Sequence, residues 1–199
     1  MKNRYSVSET IKNMYSLCYT KLFFSKARLI RLPFYFRGKK KWFFYGKGFT
    51  SGYRCRIEMF DLGICQNEKK IHIGNNCRIG DNVHIASGES VYIGENCLFA
   101  SNIYISDIMH GNFKGNDQSN PSTPPNSRKL TTSPVIIEDN VWIGENVAIM
   151  PGVKIGSGVI VGAHSVVTKN IETNCICVGN PARVIKKYNA ELNCWERVK

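Results

Sequence analysis

The sequence predicts an all-β solenoid of six-residue repeats, with a helical N-terminal segment and one long inserted loop, and three observations predict it. Apolar residues recur every six positions at Ile73, Ile79 and Ile85, again at Ile93, Phe99 and Ile105, and then at Ile137, Ile143, Ile149, Ile155, Val161 and Val167. Four places after many of these comes a second, usually smaller residue, as at Cys77, Val83, Cys97, Ile103, Val141, Val147 and Ser165. Between them lie short polar clusters such as Gly74-Asn75-Asn76, Gly80-Asp81-Asn82 and Gly94-Glu95-Asn96. Strand residues two apart share a face, so a short strand and a tight turn make one side of a coil. Three such sides per coil stack into a prism filled by the aliphatic residues. Gly, Asn and Asp at the corners are expected to supply the positive φ that tight turns need. A helix of period 3.6 does not fit this spacing.

Taken in chain order, residues 1–48 form a basic, aromatic segment that reads as partly helical. Ser8 with Glu9 is expected to begin the helix and Pro33 to end it. Residues 49–185 are assigned to the solenoid, with two interruptions. The step from Ile85 to Ile93 is eight residues rather than six, which widens one turn near Ser87-Gly88-Glu89. Between Ile105 and Ile137 runs a long excursion, residues 106–134, rich in Asn, Ser and Pro. A long loop inside a compact solenoid is often functional. Residues 186–199 are read as a charged capping segment in which 189–195 is expected to form a short helix.

At 199 residues the chain supports one sizeable core. No apolar run is long enough to cross a bilayer as a helix, and Lys12, Lys21, Lys26 and Arg28 interrupt any secretory h-region. The expected location is therefore the cytoplasm, with peripheral contact at the inner face of the membrane. None of the eight cysteines forms a C-x-x-C pair, so they are read as reduced thiols rather than zinc ligands. The net charge of +12 is concentrated: residues 1–50 hold twelve basic residues, Lys2 and Arg4 among them, against one acid, Glu9. Aromatics such as Phe24, Phe34, Trp42 and Phe43 are interleaved with them. That mixture suits an anionic membrane surface; packing of the aromatics onto the main domain accounts for it equally, and nucleic acid is not the reading taken.

Beyond the repeat, specific stretches are recognisable. Val141-Trp142-Ile143-Gly144, Pro151-Gly152-Val153, Gly162-Ala163, Val167-Thr168-Lys169 and Gly179-Asn180-Pro181-Ala182-Arg183 resemble the bacterial hexapeptide-repeat acetyltransferases, which include maltose and galactoside O-acetyltransferases. Gly46-Lys47-Gly48-Phe49, Ile105-Ser106-Asp107 with His110-Gly111, and Lys186-Lys187-Tyr188-Asn189 are similar to the branch acting on lipopolysaccharide O-antigen and capsule. The resemblance covers roughly residues 30–199. It implies a left-handed parallel β-helix, a homotrimer with active sites between subunits, acetyl-CoA as acyl donor without a metal, and a sugar or polysaccharide acceptor, lipid-linked in the O-antigen case.

Acetyl transfer to an alcohol needs a base for the hydroxyl proton and a positioned thioester, and neutral imidazole serves as base near pH 7. His72 and His84 each precede an inward residue and should face outward, and His164 falls at a corner. His110 lies at the root of the long loop and matches the family's catalytic histidine. The resemblance also places Asn82 and Trp142 at the acceptor, and Asp107 is grouped with them as a carboxylate able to hold the His110 imidazole in one tautomer. Corner geometry explains Asn82 equally, and loop packing explains Asp107 equally. For the donor it assigns Trp142, Gly144, Ala163, Thr168 and Lys169 along the pantetheine groove, with Arg183 and Lys186 at the phosphates. Two departures from the family are Ile108, where another histidine is common, and Glu145, a carboxylate near an anionic ligand unless it turns to solvent. Three alternatives stand beside this reading: transfer to a soluble sugar or antibiotic, a zinc hydratase of the γ-carbonic anhydrase type, which needs three converging histidines, and a non-catalytic solenoid.

Overall fold

The structure is a computed structural model, and it describes residues 5–63 and 69–198; Lys2, Arg4, Cys65 and Lys199 lie outside them. The chain visits three parallel sheets in turn, coil after coil. The first face stacks Leu29–Ile30, Thr50–Ser51, Arg78–Ile79, Leu98–Phe99, Trp142–Ile143, Ile160–Val161 and Cys175–Val178. The second stacks Phe34–Arg37, Cys55–Met59, His84–Ser87, Tyr104–Ser106, Ala148–Ile149 and Val166–Val167. The third stacks Phe43–Tyr45, Ile71–Ile73, Val91–Ile93, Val135–Ile137 and Lys154–Ile155. Registers such as Ile57↔Ile85 and Ile85↔Ile105 put identical positions of successive coils directly over one another. The hexad residues therefore form the core: Ile73, Ile85, Ile93, Ile105, Ile137, Ile143, Ile149, Ile155 and Val167 are fully buried. Each such aliphatic side chain contributes about 1.5–3 kcal/mol on burial.

The corners divide their labour differently from the expectation. Positive φ is carried by Asn76, Asn82, Asn96, Asn102, Asn140, Asn146 and Asn174, by His164, and at three corners by Gly48, Gly152 and Gly158. The glycines two places before several of these do not adopt it. They are small because the next coil passes too close: a Cβ on Gly80 would meet the Ala100 carbonyl carbon at 2.6 Å, and one on Gly144 would meet the Ala163 nitrogen at 2.6 Å. Asn tolerates the left-handed region, and the corner side chains also bond to each other, as Asn82 Nδ2 does to Asn102 Oδ1 at 2.9 Å.

Three boundaries differ from the sequence reading. The solenoid begins at Leu29, not at residue 49, because Leu29–Ile30 pairs in parallel with Thr50–Ser51 and Phe34–Arg37 pairs with Cys55–Met59. The helix α1 spans Val7–Phe23. Ser6, not Ser8, is its N-cap, in a reciprocal capping box with Glu9, and it ends ten residues before Pro33. The C-terminal segment is a β-hairpin rather than a helix. Arg183–Asn189 pairs antiparallel with Cys175–Val178, and Cys194–Arg197 closes the sheet. An open strand edge recruits the segment into the ladder, and the Asn189 side chain turns the hairpin by accepting from the Glu191 and Leu192 amides.

Candidate active site

The long excursion leaves the prism at the edge between the second and third faces. Tyr104–Ser106 continues through Asp107 into Ile108–His110, which pairs antiparallel with Leu130–Thr132. His110 thus sits on a hairpin strand, opposite Leu130, with its side chain exposed. The Thr131 hydroxyl donates to the Gly111 carbonyl at 2.7 Å and closes the hairpin behind it. Ile108, one of the departures from the family, packs with Thr132 and Leu62 around Gly88.

Asp107 is fully buried. Its carboxylate accepts from the Gly88 amide at 2.7 Å, the Ser87 hydroxyl and the Glu89 amide at 2.9 Å, and the Ser90 amide at 2.6 Å. All four donors belong to the widened turn of the preceding coil. Asp107 therefore holds the widened turn rather than the His110 imidazole: it is an anchor that ties the root of the His110 hairpin to the solenoid, and its hydrogen-bonding capacity is filled there. Buried Lys70 reinforces the same turn by donating to the Gly88 carbonyl at 2.5 Å.

The remaining candidates fall on two edges. Asn82, Gly144 and Ala163 lie on the edge between the first and second faces, and Trp142 stands just before it on the first face with half of its surface exposed. Thr168 and Lys169 share the His110 edge, immediately after Val166–Val167. Arg183 and Lys186 belong to the terminal hairpin strand. One chain does not bring the two edges together, since a whole face separates them. Along the prism axis, however, the candidates are in sequence: Asn82 on the third coil, the His110 hairpin on the fourth, Gly144 on the fifth, Ala163 and Thr168 on the sixth, and Arg183 beyond it. Strands are spaced about 4.8 Å, so the run from Asn82 to Ala163 measures about 15 Å.

Electrostatics follow the same order. Among the described residues no salt bridge engages Lys169, Arg183 or Lys186, so cations stay available at the terminal end. Lys187 instead pairs with Glu172. Glu145 points to solvent, and its backbone carbonyl accepts the His164 amide at 2.8 Å. His164 is a corner residue with φ 59°.

His72 and His84 face outward on different faces and do not converge. His72 is stacked between Phe44 and Tyr92 on the third face, and burial there holds its pKa below the ordinary value. His84 on the second face bonds to Glu58 at 2.9 Å. Burial raises the Glu58 carboxyl, but hydrogen bonds from His84 and Arg56 more than reverse that and bring it below the usual range. The sequence reading missed this Glu58–Arg56–His84 cluster, because only the coil register brings His84 to the Arg56–Glu58 pair. Among the described residues no group of three or more His, Cys, Asp or Glu is placed to hold a metal.

Comparison with known proteins agrees with this architecture. Residues 134–169 match the model of the bacterial transferase hexapeptide (six repeats), and residues 70–107 match that of the hexapeptide repeat of succinyl-transferase. The chain is 42% identical over 198 residues to WbbJ of Escherichia coli (strain K12), provisionally assigned as a lipopolysaccharide biosynthesis O-acetyl transferase, covering 99% of this chain and 97% of that one. A maltose O-acetyltransferase from Clostridium difficile 630 superposes with TM-score 0.55 at 27% identity, over 92% of this chain and 89% of that one. A hexapeptide-repeat acetyltransferase from Vibrio cholerae O1 biovar eltor, complexed with acetyl-coenzyme A, superposes with TM-score 0.54 at 28% identity, over 69% and 70%.

Proposed function

Because the chain belongs to the hexapeptide-repeat acetyltransferases, acyltransferases built on a left-handed β-helix, we propose that it moves an acetyl group from acetyl-CoA to a hydroxyl of a cell-surface polysaccharide precursor, with His110 as general base. The observation that carries this reading is the placement of His110. An exposed imidazole stands on a hairpin whose root is clamped by four hydrogen bonds to Asp107, one coil from Asn82 and two from Ala163. The chain's 42% identity to WbbJ supports a lipopolysaccharide precursor as the acceptor; in this reading that unit is an O-antigen or capsule precursor, lipid-linked at the inner face of the membrane.

In this mechanism the acceptor oxygen attacks the thioester carbon while its proton passes to the His110 imidazole. The tetrahedral intermediate then expels the CoA thiolate, which takes the proton back from the imidazolium. The acetyl group moves directly, with no acyl-enzyme. The pantetheine arm runs along Trp142, Gly144, Ala163 and Thr168, and the anionic phosphates meet Lys169, Arg183 and Lys186. Since those residues occupy two edges of one prism, the working site joins the His110 edge of one copy to the Asn82 and Trp142 edge of the next, and a homotrimer closes that arrangement in a ring.

The test is release of free CoA thiol by the purified protein in the presence of O-antigen and capsule oligosaccharides. Acceptor-dependent release that falls about 10²–10⁴-fold in His110→Ala, with acetyl-CoA binding retained, is the expected result. Release unaffected by the substitution removes His110 as the base. Failure to bind acetyl-CoA overturns the transferase reading.

A further inference from the structure

The helix α1 is seated on the solenoid the wrong way round for a soluble protein. Its two buried residues are Ser16 and Thr20. Thr20 Oγ1 accepts the Ile30 amide at 2.8 Å, Ser16 Oγ accepts the Leu32 amide at 3.2 Å, and Asn13 accepts from the Arg31 guanidinium at 3.2 Å. The helix thereby covers the free edge of the first strand with hydroxyls and an amide. Tyr19 packs on the core beside them, but a stripe of the helix's other apolar residues points the other way. Val7, Ile11, Met14, Cys18 and Leu22 fall within an arc of about 80° at 100° per residue, opposite Ser16. All are exposed, Ile11 by 63% and Leu22 by 77%.

Cations line one flank of this stripe. A groove of about 650 Å³ at the C-terminal end of the helix is lined by Lys21, Lys26, Arg28 and Lys47. A second, of about 670 Å³, continues along the same flank against the first face and shares Arg28, lined by Leu17, Leu29 and Leu98 with Arg28, Arg31 and Arg78. Up to residue 57 the sequence contains a single acid, Glu9, and its carboxylate is held by Ser6 in the capping box. Charge therefore chooses the occupant. A second copy laid against this surface would bring like charge to like, whereas an anionic lipid surface offers both an apolar layer for the stripe and phosphates for the cations.

We propose that the outward face of α1 docks on an anionic phospholipid bilayer, with Ile11 and Leu22 inserted at the headgroup boundary and Lys21, Lys26 and Arg28 on lipid phosphates. The orientation of α1 specifies the contact that the basic, aromatic composition of residues 1–48 suggested, and it does not depend on which sugar is acetylated. The full chain is tested by co-sedimentation with vesicles of phosphatidylcholine mixed with phosphatidylglycerol, and with phosphatidylcholine alone. Binding to the mixed vesicles alone is expected. It should fall about tenfold in Ile11→Gln/Leu22→Gln and again in Lys21→Glu/Lys26→Glu, while CoA release with a soluble oligosaccharide stays unchanged in both. The proposal is overturned if the wild type ignores anionic vesicles, or if neither pair of substitutions weakens binding. A change in the mass of the soluble protein in Ile11→Gln/Leu22→Gln also overturns it, because the stripe would then join copies of the chain.

Discussion

The two edges that border the second face are made from the same repeat and behave in opposite ways. On the edge shared with the first face, successive coils turn with a left-handed residue at the same place, from Arg54 through Asn82, Asn102 and Asn146 to His164. On the edge shared with the third face coil lengths vary, from the widened Ser87–Ser90 turn to the excursion that carries His110. A regular edge is constrained by the coil above and the coil below, so it has little room for change. The irregular edge is free to extrude loops, and it needs a special device to hold them. Asp107 is that device.

This contrast can be broken at either edge. The largest effect is expected from Asp107→Asn. An amide cannot accept from all four donors, and the unsatisfied buried amides should cost about 3 kcal/mol or more, read by denaturant unfolding, with activity lost as the hairpin detaches. Retention of both stability and activity would mean that the turn holds itself. Next is Gly80→Ala on the regular edge, where the added methyl meets the Ala100 carbonyl at 2.6 Å. Overpacking should lower stability by about 1–3 kcal/mol and leave kcat and KM for acetyl-CoA unchanged; a change in KM would place this corner in the donor groove. The smallest effect concerns the third face, away from both edges. Burial depresses the His72 pKa from 6.5, so the unfolded chain takes up a proton more readily than the folded one. Stability contributed by neutral His72 is present above pH 6.5 and lost as pH falls from there through the folded pKa. His72→Gln should flatten that part of the stability profile, measured by melting at a series of pH values.

How much of this was legible in the sequence depended on how far each signal reached along the chain. The core was legible because the hexad spacing is local. The first coil was not, because its inward positions are Ile30, Phe34, Phe43 and Phe49 rather than an aliphatic series, so it read as an aromatic appendage. Two kinds of corner glycine looked alike: Gly152 and Gly158 take the left-handed position that Asn fills elsewhere, whereas Gly80 and Gly144 are required by the close approach of the next coil. His110 was found by its surroundings, Asp107 and Gly111. The role of Asp107 stayed hidden, since its four partners lie 17 to 20 residues earlier and only the register brings them near. The C-terminal hairpin was missed although the partners of Arg183–Asn189, Cys175–Val178 and Cys194–Arg197, are its neighbours in the chain, because the charged pair Lys186-Lys187 breaks any apolar alternation.

The stacking of coils also has a consequence for how such a molecule can change. Its candidate groups are graduated along the axis in whole inter-strand steps of about 4.8 Å. Loop sequences at the irregular edge can drift gradually and reshape what the hairpin meets. The reach from base to cation cannot drift in that way: it lengthens or shortens only when an entire three-sided coil is gained or lost.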